Sequence, residues 1–300
     1  MLVGMVFLLA SLKAQGGVDP NLLAIGRHGK AQIEPGQLFD LSSTKSVTMD
    51  DLVAAAKGKP FVFLGEEHAT PAHQQMEADV IRALAASGRH VIVGMEMFTR
   101  PKQDVLDQWS AGALTESDFL DQVDWKGQWG YPYACYRPVL EAVKALHLPL
   151  VALNVPRAWP HAVSLHGIQG LPTSARLQLP PEIFLGNADH RRIFDAMVGP
   201  HGMPGVSPDN IYAAQVLWDE SMADTALRYL ALTQPPSDTV FVTISGSGHV
   251  LYGQGLNWRI ARRKGGRGVT VVMMQSATPV TVSRGIGDFV YLTAPTATSP

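Results

Sequence analysis

Two short motifs far apart in the chain carry residue types suited to metal or acid–base chemistry: Gly65-Glu66-Glu67-His68 and Gly246-Ser247-Gly248-His249. Both read Gly-x-x-His. An imidazole changes between proton donor, acceptor and ligand near neutral pH, and carboxylates beside it can relay protons or share a cation. Glu96 in Gly94-Met95-Glu96-Met97-Phe98 adds a carboxylate among apolar neighbours, where burial is costly unless the group is paired, hydrogen-bonded or coordinating. His68, His249, Glu96 and Glu66 are therefore the candidate donors for a divalent transition metal, with Glu96 and Glu67 as candidate catalytic carboxylates. The plainer alternatives stand beside this: either histidine could cap a helix or satisfy a loop carbonyl, and Glu96 could pair with a loop amide or an arginine. His73 and Glu77, four apart after Thr70-Pro71, could join the site or form a solvated helical stripe.

The elements that must position these groups are legible as apolar runs. Phe61–Leu64 and Thr239–Ile244 precede the two motifs, and similar runs lie at His90–Phe98, His147–Arg157, Gly268–Met274 and Asp288–Thr293. Runs of that length, rich in β-branched and aromatic residues, predict buried strands, and helical stretches between them predict parallel pairing. The fold class is α/β: a mostly parallel sheet flanked by helices, with a helical subdomain inserted between strands. Its main domain spans 40–294, with the α/β core at about 48–98, 148–157 and 236–294, and the helical part at about 99–147 and 158–234. In open sheets of this kind ligands sit at the carboxyl ends of strands, where both histidines and Glu96 would emerge. Arg157, after Asn154-Val155-Pro156, would share that edge. The 19–47 lead-in is poorly periodic, and Asp189-His190 and the Arg259–Arg267 cluster read as solvated helix surface.

Between Trp125 and Pro138 runs an aromatic cluster broken by Gly and Pro, which predicts a rigid loop feeding a helix near Pro138. Such density lines apolar ligand sites or staples a subdomain to its core. A net charge of −2 and one local basic cluster exclude a nucleic-acid backbone as partner. Cys135 is the single cysteine, so no internal disulfide or thiolate metal cage is available, and without Cys-x-x-Cys-His any haem is held non-covalently. Residues 1–22 read as a signal or anchor segment without a basic n-region or a lipidation cysteine, and 295–300 as a disordered tail.

In order along the chain stand Gly-Glu-Glu-His with a histidine-bearing helix, Gly-Met-Glu-Met-Phe, Trp-Gly-Tyr-Pro-Tyr with Tyr-Arg-Pro, Asn-x-Pro-Arg, Gln-x-x-Trp-Asp-x-x-Met-Ala and Gly-Ser-Gly-His. This ordered set resembles the ChaN-like haem-binding uptake proteins of the Tiki superfamily, from about Phe61 to Tyr291. The resemblance implies haem acquisition at the bacterial cell envelope, in the periplasm or at a membrane, with outer-membrane uptake machinery as a partner and homodimers enclosing haem. It also implies a tyrosine iron ligand, to be found among Tyr131, Tyr133, Tyr136 and Tyr252, with Arg137, Arg157 or Arg259 meeting the propionates. The wider superfamily, which includes Tiki proteases and erythromycin-esterase-like enzymes, implies the alternative of metal-dependent hydrolysis by His68, His249 and Glu96.

Overall fold

A computed structural model describes residues 17–199 and 205–295. The strands are β1 Lys30–Ile33, β2 Gln37–Asp40, β3 Lys45–Ser46, β4 Phe61–Glu66, β5 Val91–Thr99, β6 Leu150–Asn154, β7 Val240–Gly246, β8 Val269–Gln275, β9 Val280–Ser283 and β10 Phe289–Thr293. Helix α1 (Met49–Ala55) leads into β4, and α2 (Pro71–Ala86) joins β4 to β5. Between β5 and β6 lie α3 (Gln103–Ser110), α4 (Glu116–Val123), α5 (Trp125–Gln128) and α6 (Tyr133–Ala145). Between β6 and β7 lie α7 (Ala158–His166), α8 (Thr173–Arg176), α9 (Ala188–Val198) and α10 (Pro208–Thr233), and α11 (Leu256–Arg262) joins β7 to β8.

The strands form an 8-stranded sheet in the order β3-β2-β10-β8-β4-β7-β5-β6, with β1 and β9 paired separately. From β10 to β6 every pairing is parallel, while β2 runs antiparallel to β10 and to β3 at one edge. Parallel strands must be covered on both faces, which is why their sequences are continuous apolar runs rather than alternating ones. Val62, Leu64, Val93 and Met95 face α2 and α6 in one cluster. Phe61, Phe63, Ile92 and Leu153 face α10 and α11 in another. Each fully buried side chain of this size contributes at most about 1.5–3 kcal/mol, so the two layers together are a large part of what holds the sheet. The inserted helical intervals thus supply much of both coats of the sheet, and α7, α8 and the N-terminal half of α10 add a smaller cluster of their own.

Several expectations need correction. The lead-in holds β1, β2 and β3, strands too short to show a period of two. Helix α6 starts at Tyr133 rather than near Pro138, which lies inside it. Arg259 and His190 are buried, not solvated. The N-terminal segment placed at 1–22 falls outside the described residues as far as residue 16, but Pro20–Leu22 form a turn packed against the fold. Of the tail at 295–300, all but Pro295 lies outside the described residues.

Candidate functional site

The carboxyl ends of β4, β5 and β7 open into a cavity of about 640 Å³, within the range of roughly 300–1,000 Å³ usual for small-molecule sites. Its walls include Met97, Met197, Met273, Met274, Trp129 and Trp218, and its polar floor includes Glu66, Glu67, His68, Glu96, Gln215 and His249. Backbone geometry brings the two motifs together. Gly65 packs under the second motif so closely that a Cβ there would come within 2.4 Å of the Val250 side chain. A Cβ on Gly246 would lie 3.0 Å from ring atoms of His68 and 3.8 Å from Glu96 Oε2, so His68 and Glu96 flank the same point on β7. The pairing of β5 with β6 shifts register between Met95 and Thr99, and such an irregularity re-aims the side chains it contains. Glu96 sits in that interval and accepts the Gly246 N–H at 2.8 Å.

The first half-site is built on β4. Glu66 Oε1 accepts from Tyr136 Oη at 2.7 Å and lies 2.7 Å from His68 Nδ1, while Oε2 accepts from Gln74 at 2.7 Å. Burial opposes the charged form of His68, but the bond to Glu66 and the charges of Glu66 and Glu96 outweigh it, so its pKa is raised. With Nδ1 committed to Glu66, Nε2 faces Gly246 and the cavity, and the side chain keeps 16% exposure. His73 does not join it. The Glu67 N–H donates to His73 Nδ1, Nε2–H points to Met274 O, and burial lowers the pKa. Glu77 is buried beside Glu66, and desolvation plus the Glu66 charge push its pKa well up, so it is a neutral acid.

The second half-site is built on β7 and α10. His249 Nδ1 lies 2.6 Å from Asp219 Oδ1, and Nε2 lies 3.4 Å from Glu96 Oε1. Asp219 Oδ2 is shared by His190 Nε2 at 2.9 Å and Arg259 at 3.2 Å, and Glu220 behind it pairs with Arg259 and Arg263. Burial works against charge here too, yet the carboxylates of Glu96 and Asp219 push His249 up to about 10. Burial likewise opposes ionisation of Glu96, but His249 and the Gly246 N–H bring it down to about 2. Asp219 is held well below the usual carboxylate range by Arg259 and His249 against the same burial. Glu96 and His249 are therefore an ion pair at neutral pH, embedded in a network whose other members were not singled out by spacing alone. Gln215 and Asp219, one turn apart on α10 with Glu220 beside them, were the available signal, because polar groups buried on a largely apolar helix need a partner.

The sequence profile described as haem-binding uptake, Tiki superfamily, ChaN, matches residues 52–260. The chain belongs to this ChaN family. No curated protein matches this ChaN-family chain by sequence. By structure it is similar to a protein described as cofacial heme binding to ChaN of Campylobacter jejuni, with a TM-score of 0.65, 16% identity and coverage of 85% of this chain and 95% of that one. It is more distantly similar to a mutant erythromycin esterase in its open conformation, at a TM-score of 0.48 and 11% identity over 81% of this chain and 77% of that one. The first likeness shows that the ChaN-family sheet and helical coats are shared.

Within this ChaN-family fold the expected ligands are dispersed. Tyr136 is buried on Glu66, and the Tyr252 hydroxyl donates to Pro20 O and accepts from Leu23 N–H. Tyr133 lies against Arg137, which pairs with Glu116 away from the cavity. Tyr131 stays close, its ring 5.6 Å from that of His68. Arg157 lines the cavity and donates to the carbonyls of Gly127 and Gln128, holding the Trp129 loop in place. Arg259 is sealed in its ion network. Among the described residues no group of three or more His, Cys, Asp or Glu side chains is placed to hold a metal ion. His249 Nδ1 is taken up by Asp219 at 2.6 Å and its Nε2 lies 3.4 Å from Glu96, and the metal expected on His68, His249, Glu96 and Glu66 is not supported.

Proposed function

We propose that this ChaN-family protein is a haem carrier that holds haem non-covalently as cargo in the cavity at the strand ends. The observation that carries the reading is the conjunction, in one open cavity, of methionine and tryptophan walls with an imidazole whose Nδ1 is fixed by a carboxylate. A histidine hydrogen-bonded to a carboxylate through one nitrogen is oriented to ligate iron through the other. His68 Nε2 is thus the iron ligand we favour, with Tyr131 the nearest phenol, and Arg157 beside the cavity is the cation for a propionate. Family membership supports a role in haem uptake. We further place the carrier at the bacterial cell envelope, supplied by outer-membrane uptake machinery, and read its loaded form as a homodimer. Among the described residues no helix is long and apolar enough to cross a membrane. Hemin titration tests the reading: a saturable Soret shift is expected, with His68→Ala weakening binding by at least about tenfold. A spectrum identical to hemin adsorbed on an unrelated protein would end it.

A second reading rests on the ionised Glu96–His249 pair next to His68. It is hydrolysis of an ester or amide by acid–base chemistry. His68 Nε2 takes a proton from water, the hydroxide adds to the carbonyl carbon, and the leaving group departs with that proton. Glu66 stabilises the transient imidazolium. Turnover of activated esters, abolished by His68→Ala, is the expected result.

A further inference from the structure

Tyr252 follows His249 by three residues, and it is engaged with the N-terminal segment rather than with the cavity contents. Its backbone is in the left-handed region at φ +57, a conformation that a bulky side chain adopts only when its surroundings hold it there. What holds it is visible on both sides. The Tyr252 N–H donates to Ile286 O at 2.8 Å, and its hydroxyl both donates to Pro20 O at 2.8 Å and accepts from Leu23 N–H at 3.0 Å. Leu23 and Ile25 are buried in the same cluster as Leu251 and Tyr252. Asp19 caps the intervening turn by accepting the Asn21 N–H at 2.8 Å. The segment so fixed forms part of the cavity: Pro20 and Asn21 line it together with Leu251, Met274 and Val280.

We propose that residues 19–23 belong to the ligand site, with Pro20 and Asn21 contacting the ligand and Tyr252 as the positioning residue that holds them in place. The proposal rests on the haem reading above and deepens it. The occupant that suits this wall is a flat apolar ligand with a carboxylate-bearing edge, against which Pro20 gives an apolar surface and Asn21 an amide donor. One turn of chain thereby presents His249 to the floor and Tyr252 to the strap, so the strap's position and the floor's geometry are set together.

The test uses the full chain with hemin as the probe and follows hemin loss to apomyoglobin for wild type, Asn21→Ala, Tyr252→Phe and the double variant. Each single change is expected to raise the off-rate by about five- to tenfold. The double variant is expected to be no faster than Tyr252→Phe alone, because once the strap is released the Asn21 side chain has nothing left to lose. Additive effects would show that Tyr252 acts elsewhere, and unchanged off-rates in both single variants would remove the strap from the site; either result overturns the proposal. Absence of saturable hemin binding by the wild type is a separate outcome that strikes the haem reading itself, and this inference with it.

Discussion

The two Gly-x-x-His turns look interchangeable in sequence but differ in what stands behind each histidine. Behind His68, Glu66 is satisfied by neutral donors, the Tyr136 hydroxyl and the Gln74 amide, with the neutral acid Glu77 beyond. Behind His249 stands a carboxylate gripped by Arg259 and His190, and Arg259 is itself tied to Glu220. His68 keeps an accessible nitrogen at the cavity, whereas His249 is locked between two carboxylates. The lesson is that the motif sets where an imidazole emerges, while the helix packed behind it decides whether that imidazole can act or only hold charge.

Removing the carboxylate from each half should give the largest contrast. Asp219→Ala strands Arg259, His190 and His249 in the interior and is expected to cost about 3–5 kcal/mol. Glu66→Ala removes the acceptor that fixes His68 Nδ1, Tyr136 and Gln74 but relieves Glu77, so a loss of about 1–3 kcal/mol is expected. Thermal and urea unfolding of the two variants measure this, and a reversed order would break the comparison.

The pH dependence of stability gives the next effect. His249 carries a folded pKa of about 10 against an ordinary 6.5, so its contribution is complete below pH 6.5 and is lost as pH climbs through 10. Glu96 has a folded pKa of about 2 against 4.5, so its contribution is present above pH 4.5 and is lost as pH falls through 2. Melting temperature should therefore plateau between pH 4.5 and 6.5 as far as this pair is concerned. In Glu96→Gln the alkaline fall should move to lower pH, with the His249 NMR titration moving in step. A His249 titration that does not move would show that Glu96 is not what holds its charge.

Glu77→Gln sharpens the other half. The folded pKa of Glu77 is raised, so its neutral form favours the fold below pH 4.5, and that advantage is lost as pH rises because the unfolded chain then releases the proton. A neutral isostere escapes this penalty. The variant is expected to be near wild type at pH 4.5 and to gain on it by up to about 1.4 kcal/mol per pH unit above that. No gain at pH 8 would mean that Glu77 is charged in the fold after all.

Much of the site was readable because its signals are local. An apolar run ending in Gly-x-x-His announces a strand end, and Glu96 is conspicuous because a carboxylate inside a hydrophobic strand must have a partner. Asp219, His190 and Arg259 were not readable in the same way, since a polar residue on a helix has the same neighbours in sequence whether it faces water or the core. Two of the four tyrosines were unreadable for a related reason: Tyr136 and Tyr252 are both committed through their hydroxyls, to Glu66 and to the N-terminal strap, by contacts about 70 and 230 residues long. Strands β1 to β3 were hidden by length, because four residues carry too little periodicity to be seen.

The sequence by itself determined the α/β class, the six parallel strands and the edge at which His68, Glu96 and His249 emerge, because those follow from hydrophobic periodicity and the burial cost of single polar groups. Only the tertiary structure decided which imidazole is paired with which acid, that His249 is cationic and His73 neutral, and that Pro20 and Asn21 reach the cavity. Protonation and enclosure depend on groups brought together across the fold, and the electrostatic energy of a buried charge is set by neighbours in space and not by neighbours in the chain.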